Sequence, residues 1–188
     1  MYNIAFCLTG SYCTFDVVFP IIEDIIAAGH SVQTIFSQNA YGIDTRFGNA
    51  ESWIARAQSV TGKTPWHTLT DVEPIGPQKL FDLLIIAPCT GNTLGKLARG
   101  ITDTPVAMAA KSQLRNERPV LLGVSTNDAL SGSAENLGKL LNTRNVYFIP
   151  LRQDDAMSKP RSLVADFSRT AAAASAALRG EQAQPIFC

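Results

Sequence analysis

The sequence predicts an α/β fold: a single doubly wound domain, Rossmann- or flavodoxin-like, with a mainly parallel sheet. Two observations predict it. Apolar runs of strand length alternate with helix-period stretches along the whole chain, and those runs are apolar throughout, the pattern of strands buried on both faces. The length, 188 residues, suits one domain that buries about 70% of its unfolded surface.

The first strand is Ile4–Leu8, ended by Thr9-Gly10-Ser11. A helix follows to Ala28 and stops at Gly29, a left-handed C′ residue. Pro20 inside it predicts a kink or a late start near Asp16. Val32–Phe36 is the second strand, followed by a loop carrying Tyr41-Gly42 and Thr45-Arg46-Phe47-Gly48. Trp53, Ala57 and Val60 stand at i, i+4 and i+7 and mark a helix ending at Gly62. Residues 63–79 hold Pro65, Pro74, Gly76 and Pro77 and read as a loop, with at most a short strand near His67–Leu69. Leu83–Ala87 is the clearest buried strand, and Leu94, Leu97, Ala98 and Ile101 give the next helix face, closed near Gly100. Thr104-Pro105, an N-cap before a first-turn proline, opens a helix to about Asn116. Strand Val120–Val124, a helix at Leu137, Leu140 and Leu141, a last strand Val146–Pro150 and an Ala-rich helix Ser162–Leu178 complete the order. A tail from about residue 180 is left open to disorder.

Lysine plus arginine is 16 and aspartate plus glutamate is 16, so no basic surplus points to nucleic acid. Only 17% of residues are charged, and a neutral, charge-poor surface favours a homo-oligomer. Cys7, Cys13, Cys89 and Cys188 form no C-x-x-C pair, which argues against a metal site or redox couple. No apolar run is long enough to span a membrane, and no basic segment precedes the first one, so a reduced, cytoplasmic protein is expected.

Ligands of such sheets bind beyond the carboxyl ends of the strands. Those ends are Thr9-Gly10-Ser11, Ser37-Gln38-Asn39, Pro88 to Thr93, and Ser125-Thr126-Asn127-Asp128, all rich in hydroxyls and amides. The first turn has one glycine, not the G-x-G-x-x-G of dinucleotide sites, and Ser37 stands where an NAD site usually carries an acid. A Gly-Ser turn at a helix start still suits a terminal phosphate. The alternative for Gly10-Ser11 is a tight turn with an N-cap, and for Thr90 or Asn92 a helix cap.

Gly10-Ser11, Ser37 and the run Ala87-Pro88-Cys89-Thr90-Gly91-Asn92-Thr93-Leu94-Gly95-Lys96-Leu97-Ala98, with Gly100-Ile101-Thr102-Asp103 after it, resemble the FMN-binding flavoprotein family. That family includes peptidyl-cysteine and phosphopantothenoylcysteine decarboxylases and flavin prenyltransferases. One branch, the B subunits of dipicolinate synthase, is similar through further segments: Leu8–Asp16, Thr45–Gly48, Glu73–Pro77, Met108–Lys111, Ser125–Leu130 and Gln153–Asp155. The resemblance implies FMN, with its phosphate on Gly10, Ser11 and Ser37. Thr90, Asn92 and Thr93 would face the ribityl chain or the isoalloxazine, and Ser125 and Asn127 would close the site. It also implies a partner, the A subunit of dipicolinate synthase, and oxidation of dihydrodipicolinate to pyridine-2,6-dicarboxylate with NAD(P). The setting would be the mother cell of a sporulating bacterium, and the assembly a trimer or a multiple of three.

The chain also departs from the family. Glu73 and Pro74 stand where the cysteine decarboxylases have a histidine, and Ser125-Thr126-Asn127-Asp128 replaces their Pro-x-Met-Asn clamp. The arginine that the prenyltransferases carry near the start of that loop is missing. Two alternatives to a role in an oxidoreductase remain. One is a stand-alone decarboxylase, which these departures disfavour, and the other is a non-catalytic stabilising subunit.

Arg46, in a loop bracketed by Gly42 and Gly48, is the candidate clamp for a substrate carboxylate, because a guanidinium can bind one bidentately. Its alternative is a solvated loop charge, and Arg152 and Lys159 are further candidates. Cys13 and Cys89 read as packing residues beside the ligand loops, His67 as a surface residue, and Trp53 and Trp66 as core or interface aromatics.

Overall fold

The computed structural model describes residues 1–188. Five parallel strands form its centre: β1 (Asn3–Leu8), β2 (Ser31–Phe36), β3 (Leu83–Cys89), β4 (Val120–Thr126) and β5 (Val146–Phe148), in the spatial order 2-1-3-4-5. Every residue of β3 is buried, as its unbroken apolar run requires. Helices flank the sheet: α1 (Phe15–Ala27), α2 (Gln38–Gly42), α3 (Ala50–Thr61), α4 (Leu69–Val72), α5 (Ile75–Gln78), α6 (Gly91–Arg99), α7 (Pro105–Arg115), α8 (Ala134–Leu141) and α9 (Thr170–Leu178). One core of 47 buried residues joins sheet and helices.

The glycine stops hold. Gly29, Gly62 and Gly100 end α1, α3 and α6 with φ of 87°, 68° and 69°, a region costly for other residues. Thr104 caps α7 by accepting from the Ala107 N–H, with Pro105 first in the helix. α1 starts at Phe15 after a 3-10 turn, and Pro20 stays inside it on the exposed side. Trp53 is buried and stacked on Phe19 with centroids 5.6 Å apart, while Trp66 meets Phe81 edge-on.

Three regions differ from the expectation. The last parallel strand ends at Phe148, and two short strands follow, β6 (Leu151–Gln153) and β7 (Leu163–Ala165). They form an antiparallel hairpin that extends β4, with Ser125 opposite Val164 and Thr126 opposite Leu163. The final helix therefore begins at Thr170 rather than Ser162, because Leu163 and Val164 pair with a distant edge instead of continuing a local helix. Residues 63–79 hold no strand at His67–Leu69. A single bridge from Trp66 to Ile35 precedes α4, which a capping box between Thr68 and Asp71 starts, and α5. The loop after β2 contains α2, capped by Ser37. Beyond residue 180 the tail lies along β6: Leu151 donates to the Ile186 carbonyl at 2.7 Å, and Cys188 donates to the Leu151 carbonyl at 2.9 Å. No helix is long and apolar enough to cross a membrane.

Candidate functional site

β1 and β3 are neighbours, yet the chain leaves them toward opposite edges of the sheet. Their carboxyl ends form the crevice where doubly wound sheets take ligands. Thr9, only 1% exposed, ties the two ends together. Its hydroxyl donates to the Pro88 carbonyl at 2.7 Å and accepts from the Thr90 N–H at 3.1 Å. The two ligand loops thus leave the sheet at a set separation.

Two cavities open there and meet at Gly10 and Thr90, which line both. The first, about 510 Å³, also holds Ser37, Asn92 and Thr93, with Lys96 and Asp103 at its edge. The second, about 730 Å³, holds Ser11, Ser125 and Asn127, with Cys13 and Gly91. All the expected cofactor residues line one cavity or the other. Ser11 and Ser37, expected to share one phosphate, line different cavities on either side of Gly10.

The local bonds explain the placement. Ser11 donates its N–H back to the Thr9 carbonyl at 2.7 Å, and its hydroxyl shares a 2.9 Å hydrogen bond with that of Ser125. That bond links the β1 loop to the end of β4. Ser37 accepts from the Ala40 N–H at 3.3 Å and starts α2. Thr90 accepts from the Thr93 N–H at 3.3 Å and starts α6, so cap and cavity wall are one residue. A Cβ on Gly91 would stand 2.7 Å from the Thr126 hydroxyl oxygen and 3.0 Å from Asp128 Oδ1 and Ser133 Oγ. Only glycine lets α6 approach the loop after β4 so closely. Asp128 holds that loop, accepting from the hydroxyls of Thr126 at 2.5 Å and Ser133 at 3.0 Å.

The charge at the site is sparse. Lys96 and Asp103 pair at 2.6 Å, and the hydrogen bond and charge of Lys96 hold the Asp103 carboxyl below the usual range. The β6–β7 hairpin brings Asp154, Lys159 and Ser162 to the second cavity. Lys159 binds Asp154 at 2.6 Å, and that hydrogen bond with its charge raises the ammonium above its ordinary value. Cys89 is fully buried and burial pushes its thiol up to about 12, so it is packing. Cys13 is exposed at the second cavity.

The hairpin residues are the ones sequence reasoning missed, apart from Lys159. The short apolar triplet Leu163-Val164-Ala165, with β-branched Val164 at its centre, carried the only local signal. Arg46 lies in the tight turn Thr45–Gly48, exposed, with its guanidinium 4.8 Å from the Phe47 ring centroid. It lines neither cavity, and nor do Arg152 and His67. His67 stacks flat on Tyr41 at 3.7 Å between centroids.

The flavoprotein family profile matches residues 1–173. The chain belongs to the flavoprotein family. This flavoprotein is 44% identical to the B subunit of dipicolinate synthase from Bacillus subtilis strain 168, over 98% of its own length and 92% of the relative's. The crystal structure of the corresponding B subunit from Bacillus halodurans superposes with a TM-score of 0.92 at 40% identity, covering 100% of this chain and 96% of that one. The FMN-dependent cysteine decarboxylase SpaF, at 17% identity and a TM-score of 0.69 over 95% of this chain and 96% of that one, shares the fold.

The residues fit a flavin mononucleotide. Hydroxyls, amides and the start of α6 offer donors to a phosphate and to a polar-edged ring, and both cavities are within the usual size for small ligands. The only carboxylate lining the first cavity is Asp103, paired with Lys96, and the second strand ends in Ser37 rather than in an acid.

Proposed function

We propose that this flavoprotein is the FMN-binding subunit of dipicolinate synthase. It acts with an A subunit in oxidising dihydrodipicolinate to dipicolinate, in the cytoplasm of a sporulating cell, as a homo-oligomer. The observation that carries this reading is the 44% identity to the Bacillus subtilis B subunit over 98% of the chain. The hydroxyl-lined crevice at the β1/β3 boundary supports the cofactor half of it.

Gly10, Ser11, Ser37, Thr90, Asn92, Thr93, Ser125 and Asn127 would hold FMN. Bound FMN supplies a ring that can take up a hydride. The substrate loses a hydride and a proton as it becomes aromatic; NAD(P)⁺ finally carries the hydride, and water the proton. The chain's own task is to orient a planar dianion and exclude water. Lys159 is the cation facing the second cavity, and it would exchange Asp154 for a substrate carboxylate. Arg46 lies outside both cavities of its own protomer, so its clamp would act on the site of a neighbouring copy.

The test is production of dipicolinate by each of the two proteins alone and by the mixture, with flavin content measured on the purified chain. Dipicolinate from the mixture at a rate neither protein reaches alone, with FMN released on heating, is the expected result. A partner that works equally well without this chain would overturn the reading.

A further inference from the structure

A groove of about 650 Å³ lies between the C-terminal ends of α6 and α8 and one side of α7. None of its lining residues belongs to either cavity of the crevice. Its floor is apolar, with Leu97, Leu114, Leu140 and the exposed Ile101. Its rim carries Arg99, Lys111, Arg115 and Lys139, and no aspartate or glutamate lines it. Arg99 pairs with Glu135 at 3.3 Å, whereas Lys111, Arg115 and Lys139 take part in no ion pair. In a chain of zero net charge this basic groove has acidic counterparts elsewhere.

One of them has a matching shape. α1 carries Asp16, Glu23 and Asp24 and no lysine or arginine. Its outer side leaves Val17 51% exposed. Val17, half-buried Ile21 and Asp24 stand at i, i+4 and i+7, on one stripe. Arg56 pairs with Asp16 at 3.2 Å and with Glu23 at 3.8 Å, and Asp24 has no cation beside it.

We propose that the groove receives α1 of a second copy of this chain, with Val17 and Ile21 on its apolar floor and Asp24 against Lys111 and Lys139. The two surfaces are different patches of one chain, so the contact is heterologous and closes into a ring when the rotation allows. The proposal rests on the homo-oligomer of the reading above and assigns the surfaces that make it.

Light scattering and sedimentation of the full chain with FMN, across micromolar concentrations, test it. Asp24→Lys and Lys111→Glu should each raise the dissociation constant of the assembly by about tenfold or more. Asp24→Lys/Lys111→Glu should restore it to near the wild-type value. Both side chains are exposed, and a thermal midpoint checks the fold of each variant. Lys139→Glu with Asp24→Lys provides a second pair. A wild-type oligomer that ignores the single changes overturns this interface and leaves the homo-oligomer standing. A wild-type monomer overturns both. Singles that dissociate without rescue by the double change rule out α1 as the occupant. Loss of binding to the A subunit in Lys111→Glu, with self-assembly intact, gives the groove to the other protein and overturns the proposal as well.

Discussion

Gly91→Ala sets two effects of opposite sign against each other. Alanine in place of glycine favours a helix by up to about 1 kcal/mol, less at a first-turn position such as this one. The new Cβ, however, meets Thr126 Oγ1 at 2.7 Å and both Asp128 Oδ1 and Ser133 Oγ at 3.0 Å. Contacts that short force the Thr126, Asp128 and Ser133 side chains to shift, and overpacking of this kind costs about 1–3 kcal/mol. Movement also strains the Thr126–Asp128 hydrogen bond, whose charged acceptor places it among bonds worth about 1.5–3 kcal/mol. Steric crowding therefore wins, with a net loss of about 1–3 kcal/mol. At roughly 2–4 °C per kcal/mol for a domain of this length, the thermal midpoint should fall by about 2–12 °C. Ser125, Thr126 and Asn127 line the second cavity, so flavin retention on gel filtration should fall too. Thr126→Ala in the same chain removes the shortest contact and should recover part of the loss. A midpoint unchanged or raised in Gly91→Ala would refute the close approach of α6 to the β4 loop.

Ser11→Ala should weaken FMN binding by about 1–3 kcal/mol, the range for a hydrogen bond to a charged group, read by fluorescence titration; unchanged affinity would remove Ser11 from the phosphate site. Arg46→Ala should lower turnover of the A-plus-B mixture by about 2–4 kcal/mol in transition-state stabilisation, with Arg46→Lys rescuing only in part and flavin content constant. Normal turnover in Arg46→Ala, with a loss in Lys159→Ala, would transfer the carboxylate contact to the hairpin. Burial pushes the Asp71 carboxyl up, but hydrogen bonds from the backbone of His67 and Thr68 and from the Thr68 side chain outweigh it and hold the group below the usual range. Its contribution is therefore present above the unfolded value of about 3.9 and lost as pH falls through the lower folded value. Asp71→Asn should then lower the thermal midpoint more at pH 7 than at pH 2, and equal losses at both would contradict the assignment.

The strands and their caps were readable because their causes are local. An unbroken apolar run such as Leu83–Ala87 has to be covered on both faces, and Thr104-Pro105 presets the first turn of α7 whatever surrounds it. The crevice-lining residues were readable for a related reason: they sit on loops at strand ends, and the topology brings those ends together. The β6–β7 hairpin was not readable. Three-residue strands have almost no pattern of their own, and the partner of Leu163 and Val164 lies on β4, nearly forty residues earlier in the chain. Ser162–Leu178 therefore read as one helix, and the hairpin's Asp154 and Ser162 were not placed at the site.

Sequence alone determined the α/β class, the glycine stops at 29, 62 and 100, and the hydroxyl-rich loops that gather at the β1/β3 boundary. These follow from burial, backbone freedom and capping within a few residues. Tertiary structure alone decided that Ser11 bonds to Ser125 and that Ser11 and Ser37 face different cavities. It also decided that Lys159, and not Arg46, lines the crevice. The physical reason is that a side chain's direction at a strand end depends on how distant segments pair, and that pairing is a property of the whole sheet.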